Sequence, residues 1–256
     1  MSGPRHAPDY GPVLEALLRG PRGAPPGVVN PYRQQVAGLD RGGAARRRLR
    51  NLEAYLALVG RPRWLLIGEA LGYRGGRFSG IAFTSERQLL GGPAHRLPWA
   101  SSPPFAATSR NPALWLEPSG SVVWSALAGR PRGVLLWNAF PWHPAGRGGA
   151  LSNRRPESAM VAANLHVLEL LLNAVGPARL LAVGRTAEAA LARLGLPART
   201  LRHPAHGGAA LFRRQLAATL GDARRFRRAV ASKGVTMPTP DCEAEQWSRP
   251  RSRNRS

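Results

Sequence analysis

Three polar side chains with complementary chemistry each follow a short apolar run. They are Glu69 after residues 64–67, Asn138 after residues 134–137, and His203 after residues 198–202. A carboxylate can orient or deprotonate water and can stabilise a neighbouring cation. A carboxamide presents a donor and an acceptor together, and an imidazole can donate a hydrogen bond to a developing anion. If these groups meet in space, they can bind a polar ligand and promote hydrolysis.

Each of the three residues also has an ordinary structural explanation. Asn138 could cap the turn after its strand, and Glu69 could pair with one of the many arginines of the chain. His203 could begin a helix or contact a phosphate. The residue types alone leave both interpretations open.

The elements that would position these residues alternate between strands and helices. Apolar runs predict buried strands at residues 64–67, 134–137, 180–183 and, more weakly, 198–202. Helical periodicity predicts helices at residues 10–20, 44–59, 156–175, 186–194 and 209–220. This order predicts a three-layer α/β/α fold with a central, mostly parallel sheet of about four strands. Because parallel strands place their sites at their carboxyl ends, the three polar residues should converge.

The expected domain organisation has three parts. Residues 1–27 read as an N-terminal extension with a short helix, and residues 28–222 as the α/β domain. Residues 223–256 lose periodicity and are expected to form a basic, disordered tail.

The charge balance favours a polyanionic partner. The chain has 37 Lys and Arg against 14 Asp and Glu, a formal net charge of +23. Nearly all the basic residues are arginines, since Lys233 is the only lysine, and this bias could also reflect genome composition. Most of the excess lies before residue 222, so it is not confined to the tail. Charge therefore predicts a nucleic-acid partner and leaves the chemistry open.

The single cysteine, Cys242, narrows the class of protein further. It excludes an internal disulfide, a Cys-ligated zinc site and an iron–sulfur cluster. The N-terminus lacks an apolar signal core, and no apolar run approaches the roughly 20 residues of a membrane span. We expect a cytoplasmic monomer with no membrane association, no metal site and no cofactor.

Three motifs together resemble the uracil-DNA glycosylase superfamily. They are Gly68-Glu69-Ala70-Leu71-Gly72, the segment Asn138-Ala139-Phe140-Pro141-Trp142-His143-Pro144, and His203-Pro204-Ala205. The first is similar to the Gly-Glu-Ala-Pro-Gly motif of that superfamily and the third to its His-Pro-Ser loop. Asn30-Pro31-Tyr32-Arg33 and Val122-Val123-Trp124 are similar to segments of bacterial members. The resemblance covers roughly residues 28 to 220, and the three motifs occur in the same order as in the superfamily.

The chain departs from the family pattern at informative positions. Leu71 replaces a proline, which should loosen the turn that aims Glu69. Ala205 replaces a serine whose hydroxyl would hold a phosphate. The residue that fills the gap left by a flipped base has no clear match, because the loop continues as His206-Gly207-Gly208.

The resemblance implies a role for each candidate residue. Glu69 and His203 would be catalytic: Glu69 acting on water and on the cationic sugar, His203 on the anion of the departing base. Asn138 would read the Watson–Crick edge of the base, with Gly68 and Ala70 also in the base-binding site.

Phe83 is the first choice for the aromatic platform, from the match of Gly80-Ile81-Ala82-Phe83 to a Gly-Leu-Ala-Phe segment, and Phe78 is the second. Either ring could instead be ordinary core.

DNA contacts are expected from basic and loop residues near these motifs. They are Arg74, Arg77, His206, Gly207, Gly208 and Arg213.

The resemblance thus predicts a DNA glycosylase that removes uracil and leaves an abasic site. The alternatives are removal of another base, such as hypoxanthine, xanthine or a mismatched pyrimidine, and a DNA-binding protein on the same fold with weakened catalysis. A protein that binds nucleic acid only through its charge is a third possibility.

Overall fold

A parallel sheet covered by helices dominates the architecture. The computed structural model describes residues 7–23, 25–91, 105–127 and 133–232, with side chains up to residue 221. The helices are α1 (Gly11–Arg19), α2 (Ala44–Val59), α3 (Gly76–Ser79), α4 (Glu86–Leu90), α5 (Pro118–Ala126), α6 (Ser158–Ala163), α7 (His166–Val175), α8 (Arg185–Arg193) and α9 (Ala209–Ser232). The strands are β1 (Val28–Val29), β2 (Trp64–Ala70), β3 (Val134–Phe140), β4 (His143–Pro144), β5 (Arg179–Val183) and β6 (Arg199–Leu201).

The central sheet has the strand order β3-β2-β5-β6, and all of its pairs are parallel. Strands β2 and β3 are buried on both faces, as their continuous apolar runs predict. Leu65, Leu66 and Ile67 of β2 and Leu135 and Leu136 of β3 are all fully buried. The expected α/β fold with a four-stranded parallel sheet is therefore confirmed. A separate antiparallel ribbon pairs β1 with β4.

Two strands run further than their apolar residues predict. The expected strand ends at Ile67 and Trp137 were too early, because β2 continues to Ala70 and β3 to Phe140. The polar residues of the first two motifs therefore belong to the sheet itself, and backbone pairing sets their positions.

The single helix predicted over residues 156–175 is wrong in one respect, because α6 and α7 are separated at Asn164. The fully buried Asn164 side chain competes with the helix backbone. Its Nδ2 donates to Met160 O at 2.9 Å, and its Oδ1 accepts from Arg22 N at 2.8 Å.

The ends of the chain differ from the expected boundaries. Helix α1 buries Val13, Ala16 and Leu17 in the same core as the sheet, so residues 11–19 are packed into the domain. The boundary expected at residue 222 falls inside α9. Residues 1–6 and 233–256 lie outside the described part. No helix among the residues described has the length and apolar character needed to cross a membrane.

A buried ionic cluster of Asp40, Arg48 and Arg77 ties α2 to α3. Oδ1 of Asp40 lies 2.6 Å from Arg48 Nη2 and 2.8 Å from Arg77 Nη1, and all three side chains are fully buried. Burial raises the pKa of Asp40, but Arg77 and Arg48 outweigh that effect and hold it below its ordinary value. The carboxylate is thus ionised and balances two guanidinium groups inside the protein.

Glu117 is a second carboxyl group, and burial sets its pKa. Its residue as a whole is half-buried, yet Oε2 is shielded from solvent and has no hydrogen-bond partner in the described part of the chain. The carboxyl group occupies the space that side chains at Gly72 and Gly75 would need. Burial raises its pKa from 4.5 to about 7.

Replacing Asp40 with Asn should destabilise the fold by about 3–5 kcal/mol, because two buried guanidinium groups lose their counter-charge. Urea unfolding of both proteins measures the difference. Glu15→Gln is the control, since the Glu15–Arg19 pair is exposed and such pairs contribute below about 1 kcal/mol. An equal, small effect in both variants would contradict the role given to the buried cluster.

Replacing Glu117 with Gln should stabilise the protein at pH 8 and leave it unchanged at pH 4. The folded wild type holds this proton more tightly than the unfolded chain, so its stability falls as pH rises from 4.5 to about 7. Glutamine mimics the protonated form, so the variant does not lose stability as the pH rises. Thermal midpoints at the two pH values measure the effect, and a variant less stable than wild type at pH 8 would rule it out.

Candidate active site

The carboxyl edge of the sheet brings the three predicted residues to one end of the molecule. Gly68 of β2 is in register with Asn138 of β3, and Glu69 follows Gly68 directly. Strand β6 ends at Leu201, two residues before His203. Because all strands of this sheet run in the same direction, these side chains share one edge.

Gly68, Asn138 and Phe83 are in close contact. A Cβ atom added at Gly68 would lie 2.3 Å from Phe83 Cζ and 2.5 Å from Asn138 Oδ1, so only glycine fits between them. Asn138 is 3% exposed and Phe83 8%. The Nδ2 of Asn138 is buried and has no hydrogen-bond partner among the described residues. A buried amide donor without a partner is costly, and a ligand acceptor could pair with it.

Hydrogen bonds within the loop around Phe83 hold its backbone. Ser79 Oγ donates to Thr84 O at 2.6 Å and accepts from Ile81 N at 3.0 Å. Trp124 Nε1 donates to Thr84 Oγ1 at 3.0 Å. Phe83 itself has a positive φ of 53°, a conformation that non-glycine residues adopt only where the surroundings enforce it. The aromatic ring is therefore fixed beside Asn138 by its loop.

Glu69 is held by two neighbours at the same edge. Thr186 Oγ1, in the first turn of α8, donates to Glu69 Oε2 at 2.5 Å. Arg155 Nε lies 3.5 Å from the same oxygen and also donates to Thr186 Oγ1 at 3.0 Å. The arginine pairing suggested by the sequence thus exists. It is weak, since the two side chains are 57% and 35% exposed, and it leaves the carboxylate accessible to water.

The imidazole of His203 has a defined tautomer. Its Nδ1 accepts a hydrogen bond from Ala205 N at 3.1 Å, so the proton of the neutral ring is on Nε2. Burial is the main cause that lowers the pKa of His203, and Arg202 and His206 add to it, while Glu69 acts in the opposite direction. The ring is therefore a neutral Nε2–H donor at pH 7.

The predicted DNA contacts divide between surface and interior. Arg74, His206, Gly207 and Arg213 are exposed, and Gly208 is buried at the end of the His203 loop. Arg74 is oriented by Tyr73, whose hydroxyl accepts from its Nε at 2.8 Å. Ala70 is half-buried and pairs with Phe140.

Two predictions are wrong. Arg77 cannot contact a phosphate, because its side chain is fully buried and paired with Asp40. Phe78 cannot serve as a platform for a base, because both of its faces are covered. Trp115 stacks on it with ring centroids 5.5 Å apart, and the Arg77 guanidinium lies 4.3 Å from its ring centre.

The turn at Leu71 is firmly held, although loosening was expected there. Leu71 N donates to Trp142 O at 3.0 Å, and Leu71 O accepts from His143 Nδ1 at 2.8 Å. Burial lowers the pKa of His143 to about 4, so its ring is neutral and Nδ1 carries the proton. The backbone after Glu69 is thus fixed by hydrogen bonds on both sides of the Leu71 residue.

Sequence reasoning missed Thr186 and Arg155. Thr186 follows β5 just as Glu69 and His203 follow their strands, so the rule that found those residues also indicates Thr186. Nothing in the local sequence of Arg155 separates it from the other arginines. No group of acidic, histidine or cysteine side chains suited to a metal ion occurs in the described ranges.

Comparisons with known proteins identify the family and a similar fold. The family model of the uracil DNA glycosylase superfamily matches residues 58–242. Among solved structures, wild-type SMUG2 of Pedobacter heparinus is similar, with a TM-score of 0.55 and 12% identity. The match covers 83% of this chain and 98% of that one. No curated protein matches the sequence. The family match spans most of the chain and includes all three strand-end motifs, and on that basis the protein belongs to the uracil DNA glycosylase superfamily.

Proposed function

We propose that this protein removes uracil from DNA by hydrolysing its N-glycosidic bond and leaves an abasic site. Superfamily membership supports DNA glycosylase activity. One observation carries the choice of base: the buried Asn138 amide beside Phe83, with a donor that lacks a partner. Glu69 and His203 at the same edge of the sheet supply the groups for bond cleavage.

Asn138 matches the hydrogen-bonding edge of uracil. Its Nδ2 can donate to O4 of the base, and its Oδ1 can accept from N3–H. Cytosine presents the opposite pattern at both positions. The amide is shielded from solvent, so a base reaches it only when the side chains that cover it shift. Stacking on Phe83 would offset part of the few kcal/mol needed to extrude the base, at roughly 1–3 kcal/mol per stacked base.

Cleavage divides charge between the base and the sugar. The electrons of the C1′–N1 bond leave with uracil, whose O2 accepts a hydrogen bond from the neutral Nε2–H of His203. The C1′ cation is stabilised by Glu69, which also orients the attacking water. The oxygen of that water bonds to C1′, Glu69 accepts its proton, and the uracil anion is later protonated from solvent.

A lesion panel tests the proposed substrate. Oligonucleotides with one uracil, hypoxanthine, xanthine or mismatched thymine are incubated single-stranded and in duplexes, and abasic sites are counted after alkaline cleavage. Uracil should be released fastest. If another base is released faster, that base and not uracil is the substrate. If DNA is bound but no base is released, the protein is a member of the superfamily with weakened catalysis.

Glu69→Gln and His203→Ala should each slow single-turnover uracil release by about 10²-fold or more, since each removes a group that acts on developing charge. Affinity for DNA with a non-cleavable uridine analogue should change by less than about threefold, because neither group is assigned to binding the DNA backbone. Glu157→Gln, at a side chain 74% exposed, and His166→Ala are the matched controls. Full activity in either site variant would refute its role.

Asn138→Asp should slow uracil release by about 10²-fold or more, because the carboxylate can no longer donate to O4 and a buried complementary pair is lost. The carboxylate can accept from the N4 amino group of cytosine, so the ratio of cytosine to uracil release should rise. Release rates from matched uracil and cytosine oligonucleotides measure both effects. A uracil rate close to wild type would show that other groups read the base.

A further inference from the structure

Three arginines line an open depression that the proposed reaction does not use. The depression has a volume of about 510 Å³, and its lining residues are Arg41, Gly42, Arg47 and Arg110. Its walls are polar, and the positive side chains come from two separate segments of the chain. A surface of this kind suits an anion.

Backbone carbonyl groups hold each of these arginines in place. Arg41 Nε donates to Ser109 O at 2.6 Å, and Arg110 Nε donates to Asp40 O at 3.1 Å. Arg47 Nη1 donates to Ala107 O at 3.3 Å. One guanidinium N–H of each is thus engaged, and within the described part of the chain its other donors have no hydrogen-bond partner. Side chains fixed in this way lose less conformational entropy when they bind a ligand.

The segments that carry Arg41 and Arg110 pair with each other over a rigid base. Asp40 and Ser109 form an isolated antiparallel bridge. Beneath it, the fully buried Glu86 accepts hydrogen bonds from Thr108 N at 2.6 Å and Ser109 N at 2.8 Å. The nearby carboxylates, Asp40 and Glu86, are therefore engaged inside the protein.

The three arginines are not neutralised within the described part of the chain. No carboxylate oxygen of those residues lies within 4.0 Å of a guanidinium nitrogen of Arg41, Arg47 or Arg110, whereas Arg48 and Arg77 both reach Asp40. Their charge therefore remains available to a ligand.

The start of α2 adds to the positive potential. Its N-cap, Gly43, provides no side-chain hydrogen bond, and its first turn contains no acidic residue. The N-terminal end of a helix carries a partial positive charge. Here the neutral Gln35 Oε1 accepts from Gly43 N at 3.0 Å, but no acidic side chain of the first turn offsets the charge.

This surface lies toward the carboxyl edge of the sheet, where the candidate active site is. Four residues separate α2 from β2, and Tyr55, in the C-terminal half of α2, accepts a hydrogen bond from Leu136 N of β3 at 2.9 Å. The 16 residues of α2 span about 24 Å, close to the length of about 23 Å for the seven residues of β2. Midway along α2, Asn51 Nδ2 donates to Ser79 O at 3.0 Å, at the base of the Phe83 loop. Nearer the start of the helix, Arg48 pairs with Asp40 beside Arg41.

We propose that Arg41, Arg47 and Arg110 form a subsite for a backbone phosphate of the DNA strand from which the base is extruded. The proposal rests on the proposed function, which supplies DNA as the substrate. An open depression lets a continuous strand enter and leave, which suits a phosphodiester. Guanidinium groups fixed by carbonyl oxygens can present two parallel N–H donors to its oxygens.

Salt-dependent binding of undamaged single-stranded DNA tests the subsite. Fluorescence anisotropy is measured for wild type, for R41A/R110A, and for the control R63A/R199A, whose exposed arginines precede β2 and begin the edge strand β6. Both doubles remove the same charge. R41A/R110A should weaken binding about tenfold and reduce the slope of log K against log salt by about 0.7, the value for one phosphate of a single strand. Equal weakening in both doubles would overturn the proposal in favour of bulk charge.

The same variants separate this proposal from the proposed function. Binding to undamaged DNA needs no base excision, so the subsite can be confirmed or refuted even if uracil is not released. If uracil is released, R41A/R110A should raise the enzyme concentration needed for half-maximal rate and leave the rate at saturation unchanged. A lower rate at saturation would place these arginines in catalysis and refute a pure binding role. If R41A/R110A fails to fold, R41Q/R110Q is judged by the same criteria.

Discussion

The lack of a side chain at Gly68 is the constraint on which the candidate site depends. Parallel pairing fixes Gly68 opposite Asn138, and the Phe83 ring and the Asn138 amide oxygen take the space that a side chain at Gly68 would need. Glu69 takes its direction from the same strand. The loop that carries Phe83 is in turn held near α2 by the Asp40 cluster. Sheet register and buried charge therefore position the site together.

Charge is distributed differently at the site and on the surface. Burial keeps His203 and His143 neutral, and it keeps Glu117 largely protonated below pH 7. The chain has a net charge of +23, and most of the arginines in its described part are exposed. The positive charge thus lies mainly on the surface, whereas the groups around Asn138 are buried and neutral. Charge attraction and recognition at the candidate site are consequently separate properties.

Much of this arrangement could be predicted from the sequence, because it follows from strand ends in a parallel sheet. Helix α2 begins and ends where its periodicity predicts, and the motif residues meet at one edge. Phe78 and Arg77 were misplaced because local sequence does not show which way α3 faces. Burial there depends on Asp40 and Trp115, which are distant in the chain. The break at Asn164 depends likewise on a hydrogen bond from Arg22.

The turn at Leu71 bears on how members of this superfamily can be found from sequence. Where the family motif has proline, a ring restricts the backbone; here an N–H bonded to Trp142 O does so. Proline has no N–H, so the two solutions exclude each other at this position. A search pattern that demands proline will overlook chains that stiffen the turn by hydrogen bonding. A pattern that accepts any buried apolar residue there, together with a histidine such as His143 after the second strand, would retrieve both kinds.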